Sequence, residues 1–254
     1  MNITLYILGS VALVSLVSFV GVLSISFQQK NLTRALSFLI PLAVGTLLGD
    51  AFFHLIPQSF SGAGESMIAS LSIILGILSF FFLEKFLRWH HHFVEVSPIE
   101  VGSHTDGKHL GSLILISDGL HNFIDGVIIG VSYLLGIEVG IATTIAIIMH
   151  EIPQEIGDFG ILIYAGYSRT SALFYNFLSA LTAILGASLI IFLGSLPETL
   201  LQGASAFAAG VFIYIASSDL VPELHKNVEG KNILSEITGI SIGLFAMYIM
   251  LFFE

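Results

Sequence analysis

Long apolar runs alternate with short polar stretches along the whole chain. A run of about 20 apolar residues is long enough to cross a bilayer as an α-helix. The pattern therefore predicts an all-α integral membrane protein with eight transmembrane helices in a single transmembrane domain, residues 1–254, and no separate soluble domain. The eight runs cover roughly 3–27, 32–57, 66–88, 110–134, 139–166, 171–194, 202–224 and 235–253.

Composition supports a membrane protein and excludes some kinds of partner and site. Of the 254 residues, 55% are hydrophobic and 10% are charged, whereas soluble domains carry about 25% charged residues. The formal net charge of −10 disfavours nucleic acid as a partner. Because the chain contains no cysteine, disulfides and thiolate metal sites are excluded.

The basic residues predict how the helices are oriented. All eight of them lie in or next to loops on one side of the membrane, and the positive-inside rule makes that side cytoplasmic. Both termini are then expected outside. The residues concerned are Lys30, Arg34, Lys85, Arg88, Lys108, Arg169, Lys226 and Lys231.

Two segments of the chain resemble each other at a constant offset. Ala43–Pro57 and Ala208–Pro222 share Gly, Ala, Leu and Pro positions, with His54 opposite Asp219. Under the predicted orientation the two segments cross the membrane in opposite directions, as an inverted repeat requires. We therefore predict an inverted repeat relating helices 1–3 to helices 6–8 around the central helices 4 and 5. Chance similarity between two small-residue-rich helices is the alternative.

A histidine-containing stretch, residues 89–109, connects the third and fourth apolar runs. Glycines and a proline favour a flexible cytoplasmic loop, and neutral imidazoles suit zinc, copper or nickel. Metal capture by this loop is one interpretation, and a merely polar loop is the other. The histidines are His90, His91, His92, His104 and His109.

Polar residues interrupt the fourth and fifth apolar runs near their middles, in the motifs HNFIDG (121–126) and HEIPQEIGD (150–158). A carboxylate at the centre of a membrane helix costs ~2.5–3.5 kcal/mol on insertion scales. A cation that holds several carboxylates at once is the simplest compensation. Pro153 has no backbone N–H, so the carbonyl one turn earlier loses its hydrogen-bond donor and the helix bends. Both effects are tolerated where they line a cavity.

Helix geometry predicts which of these side chains meet. Residues four apart share a face, and the short link between the two runs makes their helices neighbours. We expect the polar side chains to converge near the membrane midplane around a divalent ion; the alternative is that they only hold the helices together. The sets that share a face are His121 with Asp125, His150 with Gln154 and Asp158, and Glu151 with Glu155.

The types of ligand limit which metal ions are expected at this site. Imidazole with carboxylate and amide oxygen suits Zn²⁺, Fe²⁺, Mn²⁺ or Co²⁺, whereas Cu(I) prefers sulfur ligands. An all-oxygen Mg²⁺ or Ca²⁺ site would have little use for two imidazoles.

These motifs resemble those of the ZIP (Zrt/Irt-like protein) family of metal transporters, in particular its LIV-1 branch. The resemblance rests on GTLLGDAFFHLIP, DGLHNFIDG, HEIPQEIGDFGIL, NFLSALTAILG and SDLVPEL. It implies uptake of divalent transition metals into the cytoplasm, zinc first and also iron, manganese, cobalt or cadmium. It further implies a homodimer in the lipid bilayer, with the plasma membrane the expected location. The metal is cargo, and no resident cofactor is expected.

The resemblance also implies a role for individual residues. A primary site would use His121, Asp125, His150 and Gln154 with Glu151 nearby, and a second site Asn122, Glu151 and the shared Asp125. Asp50 and His54 would line the outer entrance. The inner exit would be lined by Asp118, Glu155, Asp158 and Asp219, with Glu223 and His225 at its mouth.

The chain departs from the family pattern at two positions. Gln154 stands where the LIV-1 pattern has a second histidine, which weakens binding of borderline metals and favours Mn²⁺ or Fe²⁺. Ala183 stands where some relatives carry a carboxylate on the sixth helix, so the second site is expected to be weak or regulatory. We expect no counterpart of the large extracellular domain that many LIV-1 proteins have.

Two other functions remain as alternatives, although the chain is not expected to be an enzyme. The first is an intramembrane zinc metalloprotease, because HExxH on a helix supplies two zinc ligands and a general base. Here the second histidine is replaced by Gln154. The second is a haem-binding membrane protein with His121 and His150 as axial ligands.

Overall fold

The protein is a bundle of helices in a computed structural model that describes residues 3–21, 29–61, 66–92, 104–225 and 233–253. No strand occurs in these ranges, so the all-α prediction is confirmed. The helices are α1 (Ile3–Val17, then a 3₁₀ turn at Ser18–Val20), α2 (Gln29–Asp50, a π-helical turn at Ala51–Leu55, and Ile56–Ser59), α3 (Ser66–His92), α4 (His104–Leu135), α5 (Ile137–Tyr164), α6 (Arg169–Ala180 and Thr182–Leu193), α7 (Glu198–Tyr214, a π-helical turn at Ile215–Leu220, and Val221–His225) and α8 (Ile233–Met250).

The outer surface of the bundle is apolar. Large side chains such as Leu5, Phe82 and Phe192 are more than half exposed, as expected where lipid replaces water. Within the described ranges, seven helices are long and apolar enough to cross a membrane. The exception is α5, whose 28 residues include the polar stretch His150–Asp158 that interrupts its apolar run. The chain is therefore a multi-pass membrane protein; the eighth crossing and the orientation stay predictions.

The two segments with similar sequences share an unusual local structure. The π-helical turns Ala51–Leu55 in α2 and Ile215–Leu220 in α7 coincide at the offset found in the sequence. A π-helical turn widens the helix by one residue, and such turns are often found at functional sites. Shared backbone irregularity at matching positions favours the inverted repeat over chance similarity.

Helix packing follows the same symmetry. A Cβ atom at Gly45 of α2 would lie 2.3 Å from the Ile240 carbonyl oxygen of α8, and one at Gly210 of α7 would lie 2.1 Å from the Ile73 carbonyl oxygen of α3. Both glycines therefore allow two backbones to touch, which is how small residues act in membrane helix packing. Helix 2 pairs with helix 8 as helix 7 pairs with helix 3, the exchange that an inverted repeat of helices 1–3 and 6–8 produces.

α4 and α5 form the centre of the bundle. Only Gly136 separates them, so they lie side by side in opposite directions. α4 also touches α6 closely, because a Cβ atom at Gly126 would lie 1.9 Å from the Ala183 carbonyl oxygen. α1 and α2 pack against α5. The polar motifs of α4 and α5 are thus enclosed by protein.

Both helices next to the predicted loop extend into it. α3 continues to His92 and α4 begins at His104, so the two helices reach into residues 89–109, and the flexible loop stays a prediction. Residues 93–103 lie outside the described part, as do the side chains of all five histidines, and metal capture there stays a prediction.

Candidate metal centre

Two imidazoles face each other at the centre of the bundle. His121 comes from α4 and His150 from α5, and their Nε2 atoms are 3.2 Å apart. This approach follows from the short connection, which places the middles of the two helices side by side. Two ring nitrogens at this separation share either a proton or a cation.

Two carboxylates complete the group. Asp125 Oδ2 is 3.2 Å from His150 Nε2 and 3.7 Å from His121 Nε2. Glu151 Oε1 is 3.6 Å from His150 Nε2 and 3.7 Å from His121 Nε2. The four side chains thus direct one ligand atom each toward a common point. We call this group the histidine cluster.

The histidine cluster is almost completely buried. Asp125 and Glu151 are 0% exposed, His150 is 1% exposed and His121 is 9% exposed. None of the four carboxylate oxygens of Asp125 and Glu151 receives a hydrogen bond from the described residues. Buried carboxylates are normally paired or bound to a metal because leaving them unpaired is expensive. Their arrangement therefore points to a cation.

Neighbouring groups hold the two rings in place. His150 Nδ1 is 3.2 Å from the Ala146 carbonyl oxygen. When Nδ1 carries the proton and donates to that carbonyl, Nε2 keeps its lone pair for a metal, as in many metal-bound histidines. The Phe80 ring meets His121 edge-on at 5.6 Å, and the Phe212 ring meets His150 at 6.2 Å.

A second group of carboxylates lies beside the first. Ligand atoms of Asp118, Glu151 and Glu155 lie within 4.8 Å of one another, and Glu151 belongs to both groups. All three residues are buried. We call this group the acid cluster.

Helix α6 supplies hydrogen bonds to the acid cluster that the sequence analysis did not anticipate. The Asn176 amide donates to Glu155, and the Ser179 hydroxyl donates to Asp118. Asn176 and Ser179 are three residues apart and therefore lie on one face of α6. The signal was present, because both are polar residues within an apolar run, but nothing in the sequence indicated which helix that face would meet.

A cavity of about 820 Å³ extends from the histidine cluster to one end of the bundle. His121, Asp118 and Gln154 line its deep part, and Asp158, Asp219 and Glu223 line the remainder. The wall is formed by the C-terminal parts of α3, α5 and α7, toward residues 92, 164 and 225, and by the N-terminal part of α4, which begins at residue 104. By the charge rule this end is the predicted cytoplasmic one. The structure thus brings five of the six residues predicted for the inner exit to one cavity or to the cluster beside it; His225 is exposed at the end of α7.

The two residues predicted for the outer entrance are closed off. Asp50 is 0% exposed and its Oδ2 accepts a 2.9 Å hydrogen bond from the Thr143 hydroxyl. His54 is 2% exposed, and its Nε2 lies 3.0 Å from the Met247 carbonyl oxygen. Their role as an entrance stays a prediction.

The two amide side chains predicted as ligands lie in different places. Asn122 is fully buried, and its Nδ2 donates to Asp118 Oδ1 over 2.8 Å, which leaves Oδ1 of Asn122 without a partner among the described residues. Gln154 is half-buried on the cavity wall. An amide binds metal through oxygen, so the Asn122 oxygen is suited to a ligand role.

Comparison with known proteins supports a metal-handling centre. A sequence model described as ZIP zinc transporter matches residues 1–113 and 102–251. The mouse metal cation symporter ZIP14 is 32% identical over 291 residues, covering 85% of this chain and 59% of the relative. The Saccharomyces cerevisiae zinc transporter YKE4 is 29% identical over 239 residues, covering 85% and 69%. The Caenorhabditis elegans zinc transporter zipt-7.2 is 40% identical over 146 residues, covering 56% and 32%. This chain therefore spans only about 59% of the length of the first of these relatives.

Proposed function

Because the chain belongs to the ZIP zinc transporter family, we propose that it carries divalent transition-metal cations through the membrane into the cytoplasm, by way of the histidine cluster. Zinc is the first candidate, and Fe²⁺, Mn²⁺, Co²⁺ and Cd²⁺ are further ones. Relatives named zinc transporter and metal cation symporter support this cargo. The expected ligands are His121, Asp125, His150 and Glu151, assisted by Gln154 and Asn122.

The main support for the proposal is the spacing of the ligand atoms in the histidine cluster. Tetrahedral Zn²⁺ binds nitrogen and oxygen ligands at about 2.0–2.2 Å, which places neighbouring ligand atoms about 3.3–3.6 Å apart. The five nitrogen–nitrogen and nitrogen–oxygen distances measured in the histidine cluster run from 3.2 to 3.7 Å. Five of the six distances between ligand atoms are therefore within about 0.1 Å of the tetrahedral range.

The cavity gives the ion a way out. It reaches the deep end at His121, and Asp158 and Asp219 on its wall attract a cation that leaves the cluster. On the opposite side Asp50 and His54 are buried. The arrangement supports release toward the predicted cytoplasmic side, with Asp50 and His54 acting as an entrance in a differently packed state.

The two alternative functions fit the geometry less well. Two axial imidazoles of a haem would stand about 4 Å apart at metal–nitrogen distances near 2.0 Å, with a porphyrin between them, whereas the Nε2 atoms here are 3.2 Å apart. A protease would keep Glu151 free as a base, yet Glu151 Oε1 lies 3.6 Å from one cluster imidazole and 3.7 Å from the other.

Two further features of the proposal concern the assembly and its location. We expect a homodimer in the plasma membrane, on the basis of the family resemblance alone. Light scattering of the purified protein would measure the oligomeric state. Microscopy of a fluorescent fusion in the native cell would test the location.

Uptake of radioactive zinc and manganese into proteoliposomes tests the transport proposal. We expect His150→Ala to lower uptake by about 100-fold or more, since it removes a ligand for which no neighbour substitutes. Thr144→Ala is the matched control on α5, because the Thr144 hydroxyl donates to the Gly140 carbonyl oxygen of its own helix. Wild-type uptake by folded His150→Ala protein would contradict the proposed ligands.

A further inference from the structure

The acid cluster holds three buried carboxylates, and Glu151 among them also lies 3.6 Å from the His150 imidazole of the histidine cluster. Asp118 is 2% exposed and Glu151 and Glu155 are 0% exposed. The cavity wall next to them contains no lysine or arginine among the described residues. Carboxylates this close and this deep repel each other unless protons or a cation lie between them.

Unpartnered oxygens in and beside the cluster distinguish it from a simple group of acids. Both oxygens of Glu151, Oε1 of Glu155 and Oδ1 of Asn122 are buried and have no hydrogen-bond donor in the described part of the chain. Asn122 is tied to the cluster through its own amide nitrogen, which donates to Asp118. A cation supplies the positive partner that these oxygens lack.

The remaining oxygens are fixed by neutral donors. Asn176 holds Oε2 of Glu155, Ser179 holds Oδ2 of Asp118, and Asn122 holds Oδ1 of Asp118. Neutral donors orient a carboxylate without cancelling its charge, as the outer partners of metal ligands commonly do. A lysine at any of these places would have neutralised the cluster instead.

We infer that Asp118, Glu151 and Glu155 form a second cation site, with α6 supplying its positioning residues. The inference rests on the proposed transport function. Because Asp118 lines the cavity and Glu151 also belongs to the histidine cluster, the site lies between that cluster and the exit. It differs from the second site implied by the family resemblance, which uses Asn122, Asp125 and Glu151.

The ligand chemistry sets a preference for the ion. The site offers carboxylate oxygens only, with the Asn122 amide oxygen nearby, and oxygen ligands suit Mn²⁺ better than they suit metals that favour imidazole. Zn²⁺ should therefore favour the histidine cluster, whereas Mn²⁺ should occupy both sites. Since one carboxylate is shared, an ion in the second site repels the first and assists its release.

Metal stoichiometry tests the inference directly. The purified full chain in detergent is titrated with Mn²⁺ by calorimetry and analysed for bound metal after gel filtration. We expect two Mn²⁺ per chain for the unchanged protein and one for the double variant Asp118→Asn, Glu155→Gln. The matched control is Glu198→Gln, which alters an exposed carboxylate of α7.

A second variant separates this inference from the proposed function. His121→Ala with His150→Ala removes the histidine cluster and should leave one Mn²⁺ per chain, lost when Glu155→Gln is added. Two ions bound without the imidazoles would contradict the proposed function. One ion bound by the unchanged protein, with affinity unaltered by Glu155→Gln, would overturn the second site and leave the proposed function standing.

The positioning residues give a finer test that does not remove a ligand. Asn176→Ala and Ser179→Ala should weaken the second Mn²⁺ by roughly 10–100-fold, as loss of partners of metal ligands does, with the first ion unaffected. Asn176→Gln should restore part of the affinity. Ser70→Ala is the control, since the exposed Ser70 hydroxyl donates to the Ser66 carbonyl oxygen of its own helix. Equal weakening by the control, or an unchanged second ion in both α6 variants, would overturn the role of α6.

Discussion

The two ends of the proposed metal path contain similar residues and are packed in opposite ways. On one side of the histidine cluster, Asp158 and Asp219 line an open cavity of about 820 Å³. On the other side, Asp50 and His54 are buried and bonded to neighbouring helices. Residue type alone therefore does not make an opening; the difference lies in whether polar groups face water or each other.

The contrast teaches how access to a central ion can be restricted to one side. At the closed end, α2, α5 and α8 are linked through polar side chains, namely Asp50 to Thr143 and His54 to the Met247 carbonyl. At the open end, α2, α3, α4, α5 and α7 line the cavity, and acidic side chains form part of its wall. Breaking these hydrogen bonds of the closed end should make that end more accessible to water-soluble reagents.

Cysteine accessibility gives the largest expected difference between the ends. The chain has no cysteine of its own, so a single introduced thiol reports alone. Ser218→Cys lies on the exposed cavity wall and Ser205→Cys, on the same helix, is fully buried near Leu55. A hydrophilic thiol reagent should modify the first about 100-fold faster, because the second reacts only after local opening. Equal rates would show that the closed end is not closed.

Loosening the closed end should have the next largest effect. Thr143→Val removes the hydroxyl that donates to Asp50 and leaves a buried carboxylate oxygen without this donor. Loss of such a bond costs about 1–3 kcal/mol. Labelling of Ser205→Cys in this background should rise roughly tenfold. The control is Thr238→Val, whose hydroxyl is exposed and bonds to Leu234 of its own helix. An unchanged rate would remove Thr143 from the closure.

Charge in the open cavity should have a smaller effect on transport. Asp219→Asn removes one negative charge from an exposed part of the wall. Uptake at limiting metal should fall a few-fold at low ionic strength, and the difference should shrink in about 0.15 M salt because exposed charges are screened. A defect that is equal at both salt concentrations would mean that Asp219 acts as a ligand instead.

The smallest effect is expected on stability, from the hydrogen bond that joins two helices of the cavity wall. The Tyr214 hydroxyl of α7 donates to Glu84 of α3. Hydrogen bonds between membrane helices contribute about 0.6 kcal/mol on average, so Tyr214→Phe should lower the free energy of unfolding by about that amount. Denaturation in mixed micelles measures it. Tyr248→Phe, at a half-exposed ring, is the control and should lower it less.

The helices and much of the site could be predicted from the sequence for identifiable reasons. Apolar run length located the helices, and the helical repeat placed His121 with Asp125 on one face. Because only Gly136 connects α4 and α5, the two helices must lie next to each other. The structure accordingly brings His121 and Asp125 of α4 against His150 of α5; that they and their neighbours bind metal stays a proposal.

Other contacts could not be predicted because they join parts of the chain that only packing brings together. Asn176 and Ser179 reach the acid cluster since Gly126 and Gly186 allow α6 to touch α4. Thr143 meets Asp50 across 93 residues. No pattern within one helix indicates which neighbour its polar face will find.

The sequence by itself determined that the chain is a helical membrane protein, which buried polar residues are candidates for its chemistry, and which of them share a helix face. These properties depend on composition and on the fixed rise and turn of an α-helix. Only the tertiary structure decided which end of the path is open and which donors orient the acid cluster. Those outcomes depend on how closely all the helices approach one another, and that distance is set by the packing of the whole bundle.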